Sequence, residues 1–298
     1  MPTTASTVTI TSGGYSAEVS TRGGQLLRLT SQGEDIVVPA ERGDGAFPGV
    51  IMAPWPIRVA KAKYTYEGTE YHLTANEEET GAALHGLLYN TELRVQFQRQ
   101  AEVHLAGKIE PTEGYPFPVE IVVIYRVAAD LGLSTTLMAR YTPESEDDAG
   151  TAPFGAGFHP YFTAAGAPLK ECRLRLPATT VTHTKPNGKV IDRQTVSGDF
   201  DFTSGPLLAG RTIDNAYTDL PENGWTAELV HGPSGLMVRL IADTPWVQVY
   251  TGEKLDRAGV AVEPITCPPN AFNTGEDLVH LSPGEWFRVG YSVEAIRL

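Results

Sequence analysis

Cysteine is almost missing from this chain of 298 residues; there are two, Cys172 and Cys267. Two are too few for a disulfide framework or a cysteine-built metal site, so reduced thiols in a cytoplasmic protein are expected. Basic residues are also scarce: 23 Lys and Arg stand against 36 Asp and Glu, a formal net charge of −13. That balance leaves no broad footprint for nucleic acid or an anionic membrane, and a highly anionic substrate would need a local basic pocket. No run of about 18 apolar residues exists, so no membrane-spanning helix is expected. The polar, threonine-rich residues 1–12 lack the basic and apolar segments of a secretory leader. There is no P-loop, no Rossmann glycine fingerprint, no HExxH and no paired CxxC. Ser234 stands in Gly-Pro-Ser-Gly, not in the Gly-x-Ser-x-Gly of a hydrolase elbow. Helical periodicity is missing too, and only short helical turns are expected, near 38–42 and 206–210.

What the chain does have is alternation. Val119, Ile121, Val123, Tyr125 and Val127 share one parity, and Leu133, Leu137, Ala139 and Tyr141 another. Trp225, Ala227 and Leu229 repeat the pattern, as do Phe287, Val289, Tyr291 and Val293 against Arg288, Gly290, Ser292 and Glu294. A period of two marks half-buried antiparallel strands. Turn signals separate them: Ser12-Gly13-Gly14, Arg22-Gly23-Gly24, Pro186-Asn187-Gly188, Glu222-Asn223-Gly224, Pro233-Ser234-Gly235 and Ser282-Pro283-Gly284. With 30 Gly and 22 Pro, this predicts an all-β sandwich or barrel. No linker divides the chain, so one domain over residues 1–298 is expected, with an exposed acidic loop at 144–150.

Five segments break the alternation. In Pro54-Trp55-Pro56-Ile57-Arg58, two prolines stiffen the backbone and present Arg58 as a donor to hydroxyls or a carboxylate; a surface arginine over an aromatic fits equally. Leu84-His85-Gly86 lets backbone or ligand approach closely, or is simply a turn histidine. In Gly157-Phe158-His159-Pro160-Tyr161-Phe162, an imidazole that titrates near neutrality stands where a strand end opens; a buried structural histidine is the other reading. Asp214-Asn215 is a turn signal or a hydrogen-bonding carboxylate. In Val260-Ala261-Val262-Glu263-Pro264, a carboxylate ends an apolar strand, where desolvation raises its pKa toward that of a useful base; a strand-edge ion pair is the alternative.

Taken in order, these segments resemble the aldose 1-epimerase (galactose mutarotase) family over nearly the whole chain. The resemblance starts with Tyr15-Ser16-Ala17-Glu18-Val19 and its following Gly23-Gly24. It continues through Pro-Trp-Pro-Ile-Arg, the stretch from Tyr66 to Leu73, Leu-His-Gly, Gly-Phe-His-Pro-Tyr-Phe, Asp214-Asn215-Ala216-Tyr217, Val247-Gln248-Val249-Tyr250-Thr251-Gly252 and Val262-Glu263-Pro264. It implies a large antiparallel β-supersandwich. It also implies a catalytic base at Glu263, a catalytic acid at His159, and sugar-binding residues at Arg58, His85 and Asp214. Gln248 and Tyr250 would line a pocket wall, and Trp55 or Tyr161 would offer a flat face to the sugar.

Within the family, the Pro-Trp-Pro-x-Arg and Leu-His-Gly-Leu forms look like a bacterial subgroup that includes sulfoquinovose mutarotases. They look less like the hexose-6-phosphate branch, which carries additional arginines. Ile57 stands where asparagine is common, and Leu87-Leu88-Tyr89-Asn90 follows His85-Gly86; both departures touch the pocket rim and bear on substrate.

Ring opening of a hemiacetal needs a base at the anomeric hydroxyl and an acid at the ring oxygen. The implied chemistry is therefore Glu263 as carboxylate and His159 as imidazolium, reversing roles on closure. No electron or phosphate moves, so no cofactor or metal is expected, and the partner is a small monosaccharide bound by a monomer or homodimer. Three rivals stand beside this: a non-catalytic sugar-binding protein, a hydrolase using Asp214 and Glu263 as its carboxylate pair, and a metalloenzyme using His85, His159 and Glu263.

Overall fold

The computed structural model describes residues 5–43, 45–145 and 150–298. Part of the acidic stretch expected as a loop, 146–149, lies outside them. The expected alternation is realised strand by strand. In Val119–Ala128 the odd positions are buried and the even ones are not, and Gly132–Tyr141 pairs with it in register, Val123 opposite Leu137.

Two eight-stranded sheets dominate. The first runs Arg94–Arg99, Glu102–Ile109, Val119–Ala128, Gly132–Tyr141, Phe287–Arg297, Leu236–Ala242, Trp225–His231 and Arg173–Arg175. The second runs Val190–Thr195, Thr180–Thr184, Asp214–Thr218, Trp246–Tyr250, Val260–Ile265, Gly157–Phe158 and Ile51–Met52, with Tyr161–Phe162 also paired to Val260–Ile265. A four-stranded sheet covers Thr7–Ser12 to Glu34–Asp35. Every ladder between these strands is antiparallel, for example in the first sheet and in the second. The inward residues of both large sheets, among them Val123, Leu137, Val293, Val249 and Val262, share one apolar cluster. Across it the Phe158 and Tyr291 rings lie 4.8 Å apart. The fold is the all-β antiparallel sandwich that the alternation predicts.

Helix is confined to single turns. The turn expected near 38–42 is a 3-10 helix at Ala40–Arg42. At 206–210 no helix forms: Pro206 accepts the Leu174 N–H and Leu207 bridges to Arg173 along a sheet edge, and a single hydrogen-bonded turn follows, with the Arg211 N–H donating to Leu208 O. The one α-helix among the described residues is Ala271–Thr274, which the alternation did not foretell. No helix among the described residues is long and apolar enough to cross a membrane.

Candidate active site

The site grows from the parity of the second sheet. Val260–Ile265 is buried along its whole length because both of its faces are covered. Val260 and Val262 point into the main core. Ala261, Glu263 and Ile265 point the other way. There Ala261 joins a small cluster with Val38, Ala46, Tyr161 and Leu255, and Ile265 joins another with Val50, Met52, Ile57, Ala216 and Trp246. The neighbouring strand Trp246–Tyr250 divides in the same way, with Val247 and Val249 inward and Trp246, Gln248 and Tyr250 outward. Register then sets Gln248 opposite both Glu263 and Ala216, and Tyr250 opposite both Asp214 and Ala261. Polar side chains thus gather between two apolar patches on the face turned away from the core. A pocket opens there, with about 510 Å³ of empty space including its open mouth.

Short irregular segments build the walls. His159 sits between Gly157–Phe158 and Tyr161–Phe162; its N–H donates to Val50 O (3.0 Å) and its carbonyl accepts from Gly49 N (2.8 Å). His85 follows Ala83–Leu84 with a positive φ of 61°. Gly86, at φ +76°, lies so close to the Pro-Trp-Pro segment that a Cβ would fall 2.0 Å from Ala53 O. That oxygen accepts the N–H groups of both Leu87 and Leu88. Glycine is therefore the residue that lets the histidine turn dock against the segment carrying Arg58. Arg58 in turn pairs with Leu84 across the two-stranded ladder.

These elements bring together eight of the nine residues expected from the sequence. Nε2 of His159 lies 3.6 Å from Oε1 of Glu263, and both side chains are almost wholly buried. The His159 ring stacks on Tyr161 (4.9 Å) and meets His85 edge-on (5.3 Å). Gln248 Nε2 donates to Asp214 Oδ1 at 2.6 Å, and Arg58 Nη1 lies 3.8 Å from Asp214 Oδ2. Glu263 Oε2, Gln248 Oε1 and Nδ1 of both His85 and His159 have no protein partner. Buried polar atoms are normally satisfied, so this set is ready for a polar ligand.

Burial governs the charges. It pushes the Glu263 carboxyl well above the carboxylate range, with Asp214 adding to the rise and Arg58 opposing it. It pushes His159 down to about 3 and His85 well below its usual value. Desolvation thus disfavours the charged form of each group, the carboxylate and the imidazolium read from sequence alike.

The ninth residue, Trp55, is elsewhere. It is buried outside the pocket wall, donates its indole N–H to Ala83 O (3.2 Å) and packs on Tyr115 and Phe272, so it offers no face to a ligand in this pocket. Tyr161 does line the pocket, but its ring is covered by His159 and its hydroxyl donates to Ala46 O. Asp214 opens the strand Asp214–Thr218 instead of making a turn.

Five lining residues escaped the sequence reading, Gly45, Ala46, Phe47, Glu77 and Lys254, of which the last three bring side chains of size or charge. Phe47 lies in a Gly- and Pro-rich loop and meets His85 edge-on at 4.8 Å. Glu77 begins an acidic run, Glu77-Glu78-Glu79, which gives no sign that one member turns inward. Lys254 sits in a tight turn and its N–H donates to the Tyr250 hydroxyl. Among the described residues, no three His, Cys, Asp or Glu side chains converge as metal ligands would.

The comparisons with known proteins agree with this architecture. The family model described as Aldose 1-epimerase matches residues 6–294. The protein YihR of Escherichia coli (strain K12), itself described as uncharacterized, is 36% identical over 292 residues, covering 96% of this chain and 92% of that one. The galactose mutarotase of Rattus norvegicus is 25% identical over 235 residues, covering 70% of this chain and 63% of its own. A solved structure of a GalM/aldose epimerase homologue from C. elegans superposes with a TM-score of 0.86 at 19% identity, covering 99% of this chain and 100% of that one. The fold is thus of the galactose mutarotase type.

Proposed function

The chain belongs to the aldose 1-epimerase family, and on that premise we propose that it is a mutarotase interconverting the α and β anomers of a free aldose. The observation that carries this is the 3.6 Å approach of His159 to Glu263 at the bottom of a pocket whose remaining polar atoms await partners. One proton is shared by the pair. A bound sugar supplies hydroxyl donors to Glu263 and replaces part of the lost solvation, so the carboxylate becomes accessible and the proton passes to His159. Glu263 then takes the proton of the anomeric hydroxyl while His159 protonates the ring oxygen. After rotation about C1–C2 the aldehyde closes on its other face with the roles reversed. Each positioned transfer contributes about 10²–10⁴-fold.

Arg58, His85, Asp214, Gln248 and Tyr250 bind the remaining hydroxyls. Galactose, glucose and sulfoquinovose are the first substrates to try. A hexose phosphate, a dianion, is less favoured than a neutral sugar or a singly charged sugar sulfonate. The cations lining the pocket are Arg58 and Lys254, and Arg58 is already engaged by Glu77 and Asp214. Two buried, unbridged cysteines fit a cytoplasmic setting.

Polarimetry on freshly dissolved α anomers tests the reading. Anomer equilibration faster than the spontaneous rate supports it. Sugar binding with no acceleration on any of the three sugars would instead mark a non-catalytic binding protein.

A further inference from the structure

Arg58 reaches the pocket already committed. Its Nε and Nη2 donate to the two oxygens of Glu77, each at 2.9 Å. The Glu77 side chain is only 11% exposed, although Glu78 and Glu79 beside it face solvent. The Thr80 hydroxyl donates to the same carboxylate. The loop is braced at Asn76, which accepts the Leu84 N–H (2.6 Å) and donates to Leu84 O (3.2 Å); Leu84 is the ladder partner of Arg58. On the other side, the turn at Gly188 presses on the arginine stem, where a Cβ would lie 2.8 Å from Arg58 Cβ. Only the Nη1 end is left to reach toward Asp214.

We propose that Glu77 is a positioning residue that fixes the aim of Arg58 and offsets its charge, keeping one proton within the Glu263–His159 pair. This rests on the mutarotase reading above. A free guanidinium would present five donors over many rotamers; gripped by Glu77, it offers one edge. The charge argument is separate. Arg58 lowers the pKa of both Glu263 and His159. Left uncompensated it would drive the shared proton out of the pair, and a pair without a proton has no acid for the ring oxygen. Facing the pair are Arg58, His85, Tyr161, Asp214, Tyr250 and Lys254. Glu77 is the anion that grips Arg58 with both oxygens, and its own pKa is held below the ordinary carboxylate value by Arg58 and Thr80 against the effect of burial.

Two variants separate aim from charge. Glu77→Gln keeps the shape and removes the charge. In the ligand-free protein, the carbon-13 resonance of the Glu263 carboxyl is expected to titrate lower by about half a pH unit or more. In the same variant the amide oxygen can accept from only one of the two guanidinium donors, so the grip is weakened as well, and KM for fresh α-D-galactose is expected to rise about three- to tenfold. Glu77→Asp keeps the charge and withdraws the grip; its KM rises while the Glu263 titration stays at the wild-type value. Thermal melts establish that both variants fold. An unchanged Glu263 titration and an unchanged KM in Glu77→Gln overturn the proposal. If the wild-type protein accelerates mutarotation of no aldose, the functional reading fails, and the carboxyl titration still decides the role of Glu77 by itself.

Discussion

Gln248 stands directly opposite Glu263 in the ladder and donates through its amide to Asp214, so the buried catalytic candidate and the half-exposed carboxylate at the pocket mouth are joined by one side chain. Its other amide atom, Oε1, has no protein partner. Gln248→Ala is therefore expected to release Asp214 and to remove one acceptor for a sugar hydroxyl. KM rises about tenfold, the worth of roughly 1.4 kcal/mol, with a smaller change in kcat. Steady-state polarimetry over a range of sugar concentrations reads both constants. A fall in kcat at constant KM would move Gln248 from binding to chemistry.

Glu263→Gln and His159→Gln each remove one half of the proton relay. Each is expected to lower kcat by about 10²–10⁴-fold, and the double variant to be little worse than either single one, because the two groups act as a unit. Anomer-exchange NMR under saturating sugar makes the comparison. Full activity in either single variant would end the assignment.

The same variants carry stability signatures that grow in opposite pH directions. Glu263 titrates well above 4.5 in the folded protein. Above 4.5 the unfolded chain ionises while the folded one keeps its proton, so the contribution of Glu263 to stability is full below 4.5 and declines as pH rises. His159 is held down to about 3, against 6.5 when free. Its contribution is full above 6.5 and declines as pH falls toward 3. Glu263→Gln is therefore expected to raise Tm relative to wild type increasingly as pH climbs above 4.5, and His159→Gln increasingly as pH falls from 6.5 to 4. Differential scanning calorimetry across that range tests both; parallel Tm curves for variant and wild type would contradict the burial-driven shifts.

Arg58→Lys keeps a cation and discards the fork. Lysine cannot satisfy both oxygens of Glu77 and still point at Asp214. The expectation is a KM raised about tenfold, roughly 1.5 kcal/mol of lost charge-assisted bonding, with the melt little changed. Retention of wild-type KM would show that the planar geometry is immaterial.

Gly86→Ala tests the docking of the histidine turn. A Cβ 2.0 Å from Ala53 O, at φ +76°, forces either segment to move. A loss of about 1–3 kcal/mol is expected in denaturant titration, accompanied by lower activity because His85 shifts with the turn.

The fold was legible because it is written in alternation, and alternation survives in composition. The parity of Val119 to Val127 and of Phe287 to Val293 passes into the structure unchanged. At 206–210 the expected turn is present but not helical, because Gly and Pro mark a break without saying whether the chain coils or lies along an edge before it turns. Among the site residues, those in irregular, proline- or glycine-flanked segments were visible: Arg58, His85, His159 and Glu263. Glu77 was not, since its inward turn depends on Arg58, 19 residues earlier, and an acidic run looks solvated from sequence. Trp55 erred the other way. Its prolines do fix the segment, but toward the core.

Parity also couples the site to the integrity of the whole molecule. On Val260–Ile265 and Trp246–Tyr250, residues alternate between the main core and the pocket floor. A slip of one residue in that pairing would send Glu263 and Gln248 into hydrocarbon and turn Val262 and Val249 toward the ligand. No partly folded form can then hold a partly competent site. Turnover measured on this protein is in effect a count of correctly registered molecules, and loss of activity on heating or in denaturant is expected to coincide with global unfolding.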